Sequence, residues 1–173
     1  VDDMDDIDDA FEAGLFAGMD IENFQLGLEV LFDVSDTYDG YTVQATAGYR
    51  LKASPTLIIT PSVFVTGADA DYMDTYFGVN SGNRGSSTLP NYSANNGEWK
   101  DYGVNVVAHY TPWENWGIMG IVSYKALIND AKDSPIVDEG DDTQTFFGIR
   151  DQPALITDKG VFVRQVRLCL AKQ

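Results

Sequence analysis

The chain has 173 residues, with 27 acidic against 11 basic side chains and a formal net charge of -16. That acidic excess argues against nucleic acid as a partner, because displacing counterions from phosphates takes Lys and Arg. No window approaches the roughly 18 consecutive apolar residues of a membrane helix. A helical span is excluded, but a transmembrane barrel is not, since its strands dilute apolar residues with polar ones and hold mean hydropathy near neutral. Cys169 is the single cysteine and permits no internal disulfide.

Val1 to Ala10 carries Asp at positions 2, 3, 5, 6, 8 and 9. Repulsion among them predicts a solvated arm, and neither EF-hand spacing nor a glycine turn supports a calcium site. The arm opens without the basic and apolar regions of a signal peptide, so either export is not intended or the N-terminus lies upstream. Phe11 to Met19 then alternates apolar and polar, and Asp20 to Asn23 reads as a tight turn.

Phe24 to Val34 places Phe24, Leu26, Leu28, Val30, Phe32 and Val34 on one face and Gln25, Gly27, Glu29, Leu31 and Asp33 on the other. A period of two over this length predicts a strand as long as a tilted bilayer crossing. Ser35 to Gly40 is turn-rich, and Tyr41 to Leu51 repeats the alternation with Tyr41 and Tyr49 near its ends. Pairing about that loop predicts Gln25 beside Arg50 and Glu29 beside Thr46. Lys52 to Pro55 turns into Thr56 to Thr66, with Leu57, Ile59, Val63 and Val65 on the apolar side and Pro61 predicting a local irregularity.

Gly67 to Glu98 loses the pattern in Gly, Asn, Ser and Asp and reads as a long loop. Trp99 to Tyr110 and Trp116 to Ile128 are strands about a short turn, the second blurred by Met119 and Ile121. Asn129 to Asp142 is a long polar loop before a strand from Thr143 to Ile149. Connections therefore alternate short and long, which is the two-rim asymmetry of an outer-membrane barrel. The fold class expected is all-β: an antiparallel up-and-down transmembrane β-barrel, incomplete, with about seven strands of a larger even-stranded barrel present.

Tyr76-Phe77-Gly78-Val79, Leu89-Pro90 with Tyr92, Lys100-Asp101-Tyr102-Gly103, the run from Asp130 to Val137 and Phe146-Phe147-Gly148 resemble the MltA-interacting protein family, also called MipA/OmpV. Asp-Ser-Pro-Ile-Val at 133–137 is the most specific part. The resemblance implies a Gram-negative outer-membrane β-barrel facing outer-membrane lipid. It implies a non-enzymatic scaffold for envelope, or murein, machinery, with a lytic transglycosylase and a murein synthase as partners. A passive porin-like channel or a surface adhesin is the alternative. The family brings no catalytic motif, so no catalytic, cofactor-binding or metal residue is expected, and no cofactor.

Residues 1–149 are expected to be the barrel, the C-terminal portion of the family domain. Residues 150–173 are expected to be an atypical tail, since Arg164 and Arg167 fall on opposite faces of any strand there. Candidate chemistry has a plainer reading in each case. His109 in a hairpin should face about position 117, leaving Ser123 six residues, roughly 20 Å, away and too far for a dyad. Asp69 with Asp71 and Asp141 with Asp142 read as solvated loop acids. Asn91-Tyr92-Ser93 matches a glycosylation pattern that means little in a bacterium. Trp99, Trp113 and Trp116 read as interface anchors, and Gly27, Gly48 and Gly103 as relief of crowding inside a barrel.

Overall fold

A computed structural model describes residues 4, 7, 9–114, 116–153 and 169–171. The elements run β1 (Ala10–Ile21), β2 (Phe24–Asp33), β3 (Tyr41–Tyr49), β4 (Leu51–Ser54), β5 (Leu57–Ala68), α1 (Ala70–Phe77), β6 (Glu98–Tyr110), β7 (Trp116–Leu127), α2 (Asn129–Lys132), α3 (Pro135–Asp138), β8 (Thr143–Pro153) and β9 (Cys169–Ala171). The strands form one antiparallel sheet ordered β8-β7-β6-β5-β3-β2-β1-β9, with β4 on β5. Each of the seven predicted strands is present and pairs with its chain neighbours. Among the described residues the sheet does not close, and β8 and β9 stand at its edges.

Strands β3 and β4 are one strand interrupted at Arg50. Gly48 pairs with Ser62 and Leu51 with Ile59 in an unbroken register. The gap falls opposite Pro61, which has no N–H for the ladder. Pro61 keeps its place on the other side, opposite Val106. The predicted irregularity is therefore confined to one edge of β5.

The β2–β3 hairpin differs from expectation by two residues. Gln25 lies opposite Gly48 and Glu29 opposite Gln44, rather than Arg50 and Thr46. The Asp33 carboxylate is the cause: it accepts hydrogen bonds from the amides of Ser35 (2.8 Å), Tyr38 (2.6 Å) and Asp39 (3.1 Å). It folds the loop so that pairing resumes at once, with the Asp33 amide donating to the Gly40 carbonyl. Similarly His109 faces Met119, not 117. β8 runs past Ile149 to Pro153. Of the tail predicted at 150–173, residues 154–168, 172 and 173 lie outside the described residues, and Cys169–Ala171 pairs with Glu12–Ala10 of β1.

The sheet exposes its apolar face. Phe24, Leu26, Leu28 and Phe32 of β2 are exposed while Gln25, Gly27, Glu29 and Asp33 between them are half-buried. Register carries that face across the sheet: Leu28 neighbours Ala17 and Ala45, Val63 neighbours Ala47 and Val104, and Val122 neighbours Val106 and Phe147. Met119 and Ile121, which blurred β7, sit on the opposite, inner face with His109 and Ser123. A soluble monomer rarely exposes a contiguous apolar patch beyond a few hundred Å², and this one runs from β1 to β8. Such a face is matched to hydrocarbon.

Aromatic pairs bound it. Phe24 meets Tyr49 edge-on at 4.9 Å, and Phe32 meets Tyr41 at 6.0 Å. The eight-residue step between them is about 26 Å along a strand and roughly 20 Å along the membrane normal at a tilt of about 40°, which fits within the roughly 25 Å apolar band of outer-membrane barrels. Trp99, Trp113 and Trp116 are exposed near strand ends, as interface anchors are.

Candidate functional site

Among the described residues a buried apolar cluster gathers where the long connections meet the strand ends. The segment expected to be unstructured between β5 and β6 holds α1. Asp69 caps it, its carboxylate accepting from the Tyr72 amide at 3.1 Å. Tyr72, Met73, Tyr76 and Phe77 recur at helical spacing, a signal short enough to be hidden among the polar residues. Met73 and Ala94 are fully enclosed and pack with Ala68, Ala131, Tyr92 and Leu127.

The β7–β8 connection supplies the other half. Ser134 is fully buried; its hydroxyl donates to the Phe77 carbonyl at 2.7 Å and accepts from the Ile136 amide, capping α3, with Pro135 in the first turn. The Tyr92 hydroxyl donates to the Asp130 carbonyl at 2.8 Å, and the Asp130 amide donates to Glu98 Oε1 at 2.8 Å. Val79 and Tyr92 exchange backbone hydrogen bonds at 2.8 Å each. The two long loops are thus knit into one plate over the strand ends.

Under this plate lies a network of ionisable groups. The Tyr38 hydroxyl donates to Glu12, and Tyr38, Tyr72 and Tyr76 contact one another with ring centroids 4.5–5.7 Å apart. A β-bulge lies where the β5–β6 register shifts between Thr66 and Gly67, so Lys100 has no partner of its own between Trp99 and Asp101. A bulge re-aims side chains, and here Lys100 reaches its neighbour Asp101 at 2.6 Å, both buried, with Lys100 Nζ 5.2 Å from the Tyr72 ring centre. Asp101 Oδ1 has no hydrogen-bond partner. Burial pushes the Tyr38, Tyr72 and Tyr76 hydroxyls above the usual phenol range, Tyr76 to about 12.

Beside α1 an open hollow of about 660 Å³ is lined by Asp9, Asp36, Asp74, Thr37, Asn80 and Asn83 among others. No group of three or more His, Cys, Asp or Glu is placed to hold a metal among the described residues. Three of the acids singled out in the sequence have local partners. Asp69 caps α1, Asp141 accepts from the Thr143 amide and hydroxyl, which holds its carboxyl below the usual range, and Asp142 meets Lys132 at 3.4 Å.

The inner face holds the remaining candidates. Ser123 lies opposite Asn105, four residues along the strand from His109, about 13 Å. The register correction brings the two nearer than predicted but leaves them out of hydrogen-bonding reach. Arg50 meets Asp20 at 3.6 Å. The inner glycines are crowded as expected. A Cβ at Gly27 would meet the Phe16 ring at 3.2 Å, and one at Gly103 the Tyr124 carbonyl at 2.3 Å.

The comparisons follow the same residues. The description "MltA-interacting protein MipA" belongs to the family profile that matches residues 1–150. "Putative outer membrane protein YiaT" of Escherichia coli K12 and its counterpart in Escherichia coli O157:H7 are each 28% identical over 109 residues. Those matches take in 63% of this chain but 43% of each relative, so the chain spans less than half the length of the curated relatives it matches. With the profile covering nearly all of the strand-forming part, this chain belongs to the MltA-interacting protein MipA family.

Proposed function

We propose that the chain is part of a non-enzymatic outer-membrane barrel that serves as a scaffold for envelope machinery, with a lytic transglycosylase and a murein synthase as the proteins it holds. The single observation that carries the membrane reading is the exposed apolar face that runs from β1 to β8, clearest on β2, where Phe24, Leu26, Leu28 and Phe32 point outward and Gln25, Glu29 and Asp33 inward. Membership of the family and the name of the Escherichia coli relatives place it in the Gram-negative outer membrane. The scaffold role rests on the family description, which names an interaction with MltA.

The short turns at 22–23, 55–56 and 111–115 form the rim that faces the periplasm in such barrels. They are the surface a periplasmic enzyme reaches. Affinity capture of the protein from detergent-solubilised envelopes should bring down a transglycosylase and a synthase, and substitutions in these turns should release them. Recovery of neither enzyme from envelopes that contain both overturns the scaffold reading.

A passive channel is the second reading, favoured by the wet inner face of Gln25, Glu29, Gln44 and Arg50. Conductance steps in a planar bilayer would favour it over a plugged scaffold.

A further inference from the structure

The outward face is not uniformly ridged. On β3 its outward side chains shrink from Tyr41 and Val43 to Ala45 and Ala47 before Tyr49, while its neighbours carry Leu26 on one side and Val63 on the other. Two residues beyond Ala47 the ladder is interrupted, where Tyr49 falls opposite Pro61. The result is a groove of about 320 Å³ across four strands. Its walls are Phe24 and Tyr49 on one side and Val63, Val104 and Val106 on the other, with Ala47 and the backbone between them as floor. Its lining is almost wholly carbon.

The geometry points to this groove as a seat for one acyl chain of a membrane phospholipid, taken from the leaflet on the short-turn side. The inference rests on the membrane reading above. The groove is continuous with the lipid-facing band, so hydrocarbon, not water, is what it meets. It opens at the end of the band where Phe24 stacks edge-on against Tyr49, the aromatic boundary at the short-turn rim. A chain lying in it runs from that boundary toward the middle of the band, the direction of a phospholipid tail. Larger outward side chains such as Leu15, Leu28, Phe32 and Phe147 ridge other parts of the band. A chain lying in this open carbon-lined hollow gains dispersion contacts with its walls and floor that a ridge does not offer.

The test is native mass spectrometry of the full protein extracted from outer membranes in mild detergent. The unaltered protein should retain one phospholipid through exchange into a second detergent. Ala47→Trp, which fills the floor, should lose it, and Leu28→Trp, on the same face outside the groove, should keep it. Val63→Trp fills the groove from the opposite wall and serves if Ala47→Trp does not fold, folding being scored by the mobility shift between heated and unheated samples. Absence of bound lipid from the unaltered protein, or equal retention in the filled variants, overturns the inference. The membrane reading is scored apart from this, by whether extraction needs detergent at all.

Discussion

Replacing Leu28 by Arg separates a lipid-facing strand from a soluble one more sharply than any measurement on the unaltered chain. Leu28 is 47% exposed. It stands four residues from each bounding aromatic pair, Phe24–Tyr49 and Phe32–Tyr41, with alanines on both neighbouring strands. Four residues is about 13 Å along the strand, and roughly 10 Å along the membrane normal at a tilt of about 40°. Leu28 therefore sits at the middle of the band, where an outward Arg on a barrel costs about 2–4 kcal/mol. At about 1.4 kcal/mol per decade, that is a loss of roughly 30- to 700-fold in the folding equilibrium. In a water-facing sheet an exposed Leu→Arg change of this kind stays within about 0.5 kcal/mol. Phe24→Arg, at the edge of the band, should cost about 0–1 kcal/mol for its charge, and Phe24→Leu measures the packing lost with the ring. The assay is reversible urea unfolding of the protein in liposomes, followed by tryptophan fluorescence. A Leu28→Arg protein as stable as the unaltered one, or a charge penalty equal at positions 24 and 28, would refute the assignment of this face to lipid.

The loop plate makes a separate prediction. Ser134→Ala leaves the Phe77 carbonyl without its donor and α3 without its cap, a loss of about 1–3 kcal/mol. Proteolysis should then quicken within 69–97 and 129–142 while strand protection is unchanged. On one hairpin, Gly103→Ala drives a Cβ to 2.3 Å from the Tyr124 carbonyl, whereas Gly120→Ala meets nothing within 4 Å. The first should lower urea stability by about 1–3 kcal/mol and the second should not. Burial raises Tyr76 to about 12 in the folded state. Its contribution is therefore full below the ordinary phenol pKa of about 10 and is lost as pH rises toward 12. Tyr76→Phe should remove one tyrosine's share of the tyrosinate absorbance near pH 12 and leave the far-UV spectrum of the fold at neutral pH unchanged.

What was legible in the sequence divides along a physical line. Period-two alternation located every long strand, because a sheet between lipid and a polar interior must alternate to satisfy both. Registers were off by two in both hairpins measured against it. The turn centre depends on side-chain hydrogen bonding, as at Asp33, and no periodicity reports that. Helix α1 was missed because eight residues carry too few turns for a period to stand out, although Asp69 followed by Tyr72, Met73, Tyr76 and Phe77 was a usable start signal. The inward turn of Lys100 was invisible, since a bulge is a property of two strands and not of one.

The same division explains why the most specific part of the family resemblance lies in a loop. An outward strand position facing hydrocarbon asks only for an apolar side chain. Leu, Val, Ile and Phe serve nearly alike there, and relatives need share no more than the pattern. The plate asks for particular atoms. Ser134 must both donate to Phe77 and cap α3, Tyr92 must reach the Asp130 carbonyl, and Val79 must fit where no solvent reaches. An unpaired buried group there costs about 1–3 kcal/mol, so substitutions are tolerated at few positions. Tyr76 to Val79, Tyr92 and Asp130 to Val137, the residues that meet in this plate, carried much of the resemblance, beside Lys100 to Gly103 and Phe146 to Gly148 in the strands. A member of the family that kept the strand pattern but lost Ser134 and Tyr92 together should keep its barrel and lose the docking of one long loop on the other.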